Sequence, residues 1–142
     1  MPVHFKKEGA GVFDAPIDKI FRYMSAGDHP HAAFKSYRLV GQSGNAVTID
    51  AEVFHPDGST SKTTIRHLLN PPSRVESSMS GGTFDGARFV HSYTPMGQRT
   101  RVDVEGDFPA LPGMSEADEL AMLDQFFTTS YAEDAETLRT WQ

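Results

Sequence analysis

The sequence predicts an α+β domain with seven antiparallel strands, two short helices between strands 1 and 2, and a long helix at the C-terminus. Three observations carry this reading. From residue 38 to residue 108, strand-forming segments are separated by the turn sequences "QSGN", "PDG", "NPPS", "SGGTFDG" and "TPMGQ", which is hairpin spacing and not crossover spacing. Residues 115–142, "SEADELAMLDQFFTTSYAEDAETLRTWQ", read as one uninterrupted helix. Finally, 142 residues fit one domain, 1–142, around a single core.

In chain order, residues 3–13 form a first strand interrupted by Gly9 and Gly11. The period then changes. Ile17, Ile20, Phe21 and Met24 fall at i, i+3, i+4 and i+7, Asp14 and Pro16 are start signals, and Gly27 is a stop. "DHPHAAFKSY" supplies a second short helical turn, with Pro30 at its start and Phe34 as its anchor. Strands follow near 38–43, 46–55, 60–70, 73–80, 87–94 and 99–108. The loop "PALPG" leads to Ser115, a good N-cap, and Glu116, Asp118 and Glu119 suit the positive end of the final helix.

Composition excludes several functions. Hydrophobic residues at 38% and charged residues at 23% are globular values. The 13 Lys and Arg are scattered and the formal charge is −6, so no nucleic-acid partner is expected. The absence of cysteine removes disulfides, thiolate nucleophiles and Cys-based metal sites. No run approaches the ~18 apolar residues of a membrane span, and "MPVHFKKEGAGVF" lacks a long apolar stretch after its basic residues. The expectation is a cytoplasmic protein without membrane insertion, a monomer or homodimer.

The element order resembles the helix-grip fold of the START-like superfamily, also called SRPBCC, the polyketide cyclase/dehydrase and lipid-transport proteins. The likeness covers essentially the whole chain. "VFDAPIDKIFRYM" is similar to the family's small-residue and proline start of the first helix, and "YTPMGQRTRVDVEGDF" to its penultimate hairpin. The resemblance implies a sheet wrapped around the last helix and a cavity between them for lipids, steroids, polyketides or plant hormones. Some members are cyclases or hydratases. The turn "GQSGN" is shorter than the glycine-rich loop of pollen-allergen-like members. Where many bacterial members place a tryptophan this chain reads "DHPHAAF", and its one tryptophan is Trp141.

Turn chemistry predicts which side chains face that cavity. In "HPDGS", three loop residues pair His55 with Ser59, which sets Ile49 opposite Ile65 and Val47 opposite His67. In "PPS", three more set Leu69 opposite Val75, His67 opposite Ser77 and Ile65 opposite Met79. Both counts turn His67 and Ser77 inward. The same count on "TPMGQ" pairs Thr94 with Gln98 and turns His91 outward with Phe89 and Tyr93. A two- or four-residue loop reverses this and buries the two aromatics. The facing of His91 therefore stays open.

The last helix supplies the opposite wall: Leu120, Leu123, Phe127, Tyr131, Leu138 and Trp141 form a stripe that Met122 and Phe126 widen. Asp134 falls within it, where desolvation raises a carboxyl pKa toward a general acid or base. The candidate ligand contacts are thus His67, Ser77, Met79, Met122, Phe126, Phe127 and Tyr131, and the candidate catalytic residues His67 and Asp134. His67 is equally read as a core histidine bonded to Ser77, Asp134 as a solvated residue on an overhanging helix end, and Tyr131 as plain core packing. "DHPH" brings metal ligands into one turn, but no further ligand stands at recognisable spacing, so no metal site is expected. "SGGTFDG" lacks the lysine and following helix of a phosphate loop and reads as a flexible cavity rim. No cofactor is implied.

Three functions fit. One is a binding module for a hydrophobic or amphipathic small molecule. Another is a cyclase, hydratase or dehydratase acting on a polyketide-like or cyclic carbonyl substrate, with His67 moving the proton and Asp134 or Tyr131 as partner. The last is a stress-response or chaperone-interaction protein using an outer patch of Phe89 and Tyr93.

Overall fold

β1 (Val3–Phe13) turns Val3, Phe5, Ala10 and Phe13 inward. In this computed structural model, which describes residues 2–26, 31–55, 58–70 and 73–141, the chain continues through α1 (Ile17–Ala26), β2 (Phe34–Ser43), β3 (Ala46–Phe54), β4 (Thr60–Asn70), β5 (Arg74–Ser80), β6 (Arg88–Met96), β7 (Arg99–Phe108) and α2 (Glu116–Thr140). The seven strands form one sheet in the order β1-β7-β6-β5-β4-β3-β2, antiparallel at every pairing. The meander from β2 to β7 follows from its hairpin turns, and β1 closes on β7.

The second short helical turn expected in 28–37 falls partly on residues 27–30, which lie outside the described residues. Its describable part, 31–33, is a turn, and from Phe34 the chain is already β2, four residues before the expected start of that strand. The final helix matches its expected start. Ser115 Oγ accepts the Asp118 N–H at 3.1 Å, which satisfies a donor that helix geometry leaves unpaired.

Two of the three register counts hold. Val47 lies opposite His67 and Ile49 opposite Ile65, and His67 lies opposite Ser77 and Ile65 opposite Met79. The count on "TPMGQ" does not hold. Met96 pairs with Arg99, leaving a two-residue loop whose Gly97 sits at φ 66, as a II′ hairpin requires of its first central residue. His91 therefore lies opposite Val104 and not Arg101, and Phe89, His91 and Tyr93 are all buried. The outer patch of Phe89 and Tyr93 does not exist, because the shorter loop moves both rings to the other face of the sheet.

α2 touches both edges of the sheet. Phe127 stacks on Phe5 of β1 at 5.6 Å and meets Phe89 of β6 and Phe108 of β7 edge-on, while Phe126 meets Phe34 of β2 at 6.1 Å. The sheet therefore wraps around the helix. Its bend at β1 is a bulge between Lys7 and Gly11, where Gly9 takes φ 61 and donates its N–H to Asp103 Oδ1 at 2.7 Å. The helix packs close against Gly11: a Cβ there would stand 2.9 Å from Tyr131 Cβ. Ile20, Ile49, Val47 and Val75 are fully buried between these layers, each stabilising the fold by about 1.5–3 kcal/mol. Among the described residues no helix is long and apolar enough to cross a membrane.

Candidate functional site

β4, β5 and β6 lie side by side, and inward alternation brings His67, Ser77 and Phe89 into one cross-strand row. His67 Nδ1 is 2.7 Å from Ser77 Oγ, and Nε2 is 3.2 Å from the Tyr37 hydroxyl on β2. His91, one row along on β6, is hydrogen-bonded through Nδ1 to the Tyr131 hydroxyl of α2. Burial pushes His67 down to about 4, with the nearby His31 ring adding to the effect. Burial likewise pushes His91 down to about 3, with His67 adding to it. Both rings are neutral at physiological pH. Burial first, and then the negative charge of Asp134, raise the Tyr37 and Tyr93 phenols. Tyr131 is raised by burial, then by Tyr93 and Asp134. These tyrosines stay protonated.

α2 contributes Phe127, Ser130, Tyr131 and Asp134 at i, i+3, i+4 and i+7, one helical face. Asp134 Oδ1 accepts the Tyr23 hydroxyl at 2.7 Å and lies 3.4 Å from His31 Nε2. Next to it, Glu133 accepts the Ala32 N–H at 3.0 Å and lies 3.2 Å from His31 Nδ1. These contacts tie the start of β2 to the helix. Ser130 Oγ is buried and has no hydrogen-bond partner among the described residues.

Between these walls lies a cavity of two adjoining lobes. The inner lobe, about 90 Å³, is lined by His67, His91, Tyr37, Tyr93, Ser130 and Tyr131 among others. The outer lobe, about 240 Å³, is apolar: Phe34, Val53, Phe84, Phe108, Met122 and Phe126 form much of its wall. Phe34, Met79, Phe89 and Phe126 border both. Together the lobes reach the lower end of the ~300–1,000 Å³ typical of small-molecule sites. The opposite side of the sheet has a broader hollow, about 800 Å³, but it is open and lined by facing charges such as Arg66, Arg88, Glu105 and Asp107.

His67, Met79, Phe126, Phe127, Tyr131 and Asp134 line the inner lobe, and Met79, Met122 and Phe126 the outer one. Ser77 borders neither lobe and stands behind His67, holding its ring. Asp134 is not on an overhanging helix end: its side chain is only 14% exposed. Phe84 of "SGGTFDG" lines the outer lobe, so that loop does sit at the cavity rim. Sequence reasoning missed Tyr37, because its strand was started four residues too late, and it missed Ser130, which carries no periodic signal of its own. In the "DHPH" stretch only His31 is described, and among the described residues no three His, Asp or Glu side chains gather into a metal-binding group.

No family model matches the sequence, and no curated protein sequence matches it. Solved structures do. A START superfamily protein from Mycobacterium smegmatis superposes with a TM-score of 0.72 at 16% identity, over 95% of this chain and 98% of that one. Ara h 8.0201 gives 0.69 at 15% identity, over 99% and 100%. The Zhui aromatase/cyclase from Streptomyces sp. R1128 gives 0.66 at 12% identity, over 97% and 92%. The chain has the START-like helix-grip fold. In this chain the space between sheet and final helix is lined by two neutral histidines in its inner lobe and by several phenylalanines in its outer one.

Proposed function

We propose that this helix-grip protein binds a hydrophobic or amphipathic small molecule between the sheet and α2. The observation that carries the reading is the graded cavity: an apolar outer lobe adjoining an inner lobe whose polar groups are few and include His67 and Tyr131, each held by a neighbouring side chain. Such a site gives contact area through Phe34, Met79, Met122 and Phe126, and orientation through the few polar groups at one end. Ala33 borders the outer lobe. The neutral dye N-phenylnaphthylamine should brighten on binding, and Ala33→Trp, which adds an indole to the wall of the outer lobe, should weaken its binding about tenfold. Unchanged binding in Ala33→Trp would place the dye elsewhere and count against the reading.

A second reading is catalysis on a cyclic or polyketide-like carbonyl compound; one protein of similar fold is named an aromatase/cyclase. It is favoured by the His91–Tyr131 pair, a neutral base bonded to a phenol that stays protonated. His67 is the weaker candidate, because both of its nitrogens already have partners. On this reading His91→Gln keeps dye binding and loses turnover of a poly-β-carbonyl substrate, and equal turnover in both proteins would reject it.

A further inference from the structure

We propose that the cavity selects an uncharged ligand carrying an acceptor oxygen, a ketone, alcohol or phenol, over a carboxylate or phosphate of the same shape. This rests on the binding reading above and adds the ligand's chemical class. Among the described residues neither lobe is lined by a lysine or arginine. Lys7 and Lys19, which reach α2, end on Asp124 and Thr128 and on the Leu138 carbonyl respectively. The described ionisable side chains of the inner lobe are Asp134, the two buried neutral histidines, His31 held against Glu133 and Asp134, and tyrosines that remain protonated. An anionic head group placed there would be desolvated with no lysine or arginine among the described residues to receive it and with an acidic side chain on the same helix face.

A neutral oxygen meets the opposite situation. Tyr131 has His91 Nδ1 as its hydrogen-bond partner. With the phenol donating to Nδ1, the neutral imidazole carries its own proton on Nε2, and that nitrogen has no hydrogen-bond partner among the described residues. Ser130 supplies a second donor. Thr137, on the same helix, folds its hydroxyl back onto the Glu133 carbonyl at 3.0 Å, the usual resort of a helical hydroxyl. Ser130 does not, although it is only 9% exposed. Two unspent donors in a buried lobe call for an acceptor, and an oxygen without charge supplies one at no electrostatic cost.

The test is calorimetric titration at neutral pH with acetonaphthone, naphthol and naphthoate substituted at the same ring carbon. The ketone and the phenol should bind about tenfold or more tightly than the carboxylate, a factor equivalent to ~1.4 kcal/mol. Ser130→Ala should weaken the ketone and phenol by about two- to tenfold and leave methylnaphthalene, which has no oxygen, unchanged. Naphthoate binding as tightly as acetonaphthone, or Ser130→Ala weakening all of them alike or none, would overturn the assignment. If N-phenylnaphthylamine binds in an Ala33→Trp-sensitive manner while the naphthalenes show no such preference, the ligand class fails and the cavity reading stands. If the dye does not bind, the cavity reading fails and this inference falls with it.

Discussion

His67 and His91 are buried, each with hydrogen-bond partners but without a paired carboxylate. The consequence is thermodynamic. In the unfolded chain both would titrate near 6.5, whereas in the fold they do so at about 4 and about 3. Between those values the unfolded state holds more protons, so stability falls as pH falls. The full contribution is present above about pH 6.5, and it is lost progressively down to about 4 for His67 and about 3 for His91. The slope is about 1.4 kcal/mol per pH unit for each ring. Urea unfolding at neutral pH and at about pH 5 should show wild type losing more stability than His91→Gln between the two conditions. Equal losses would mean that His91 is not held neutral. His67 was legible in the sequence because two turns, each read as a three-residue loop, agreed on its facing from both ends of the strand. His91 was not, because "TPMGQ" closes as a two-residue or a three-residue loop and local chemistry does not choose. The deciding term was non-local: the gain from burying Phe89 and Tyr93.

At the scale of the element, the hairpin of β6 and β7 shows how one glycine shapes the cavity. Gly106 lies opposite Phe89, and a Cβ on it would stand 2.4 Å from both the Arg88 carbonyl oxygen and Phe89 Cβ. Neither atom can swing away, so a methyl group there must push the strands apart and shift Phe89, which borders both lobes. Gly106→Ala should destabilise by about 2–3 kcal/mol, seen as a drop of several degrees in Tm. Gly44→Ala, in open space at φ 58, should cost only about 1 kcal/mol, the strain of a left-handed residue. Equal effects would show that the close packing at Gly106 is not limiting. The strands and α2 were readable from alternation and capping, since Ser115 and the apolar stripe act locally. The bulge at Gly9 could be read only as an interruption of β1. Its depth depends on the bond from Gly9 to Asp103, a partner 94 residues away.

Across the whole molecule, the sheet encloses a helix that contacts both of its edge strands, and the space left between them is graded from apolar to polar. Among the described residues no lysine or arginine lines the cavity, and Asp134 is the acidic side chain that does. The cavity's walls were foreseeable from Met79, Met122, Phe126, Phe127 and Tyr131, but its division into two lobes was not, because Phe34 and Phe89, which border both, were placed in other roles. Methionines report on the two lobes independently of any substitution. Met79 borders both, Met122 only the outer one, and Met96 is exposed on the β6–β7 hairpin. The most direct measurement is a methyl NMR titration of methionine-labelled protein with N-phenylnaphthylamine. The ring currents of a dye in the cavity should shift the Met79 and Met122 methyl signals and leave Met96 in place. Saturable dye binding with Met79 and Met122 unmoved, or with shifts confined to Met96, would contradict a ligand site between the sheet and α2.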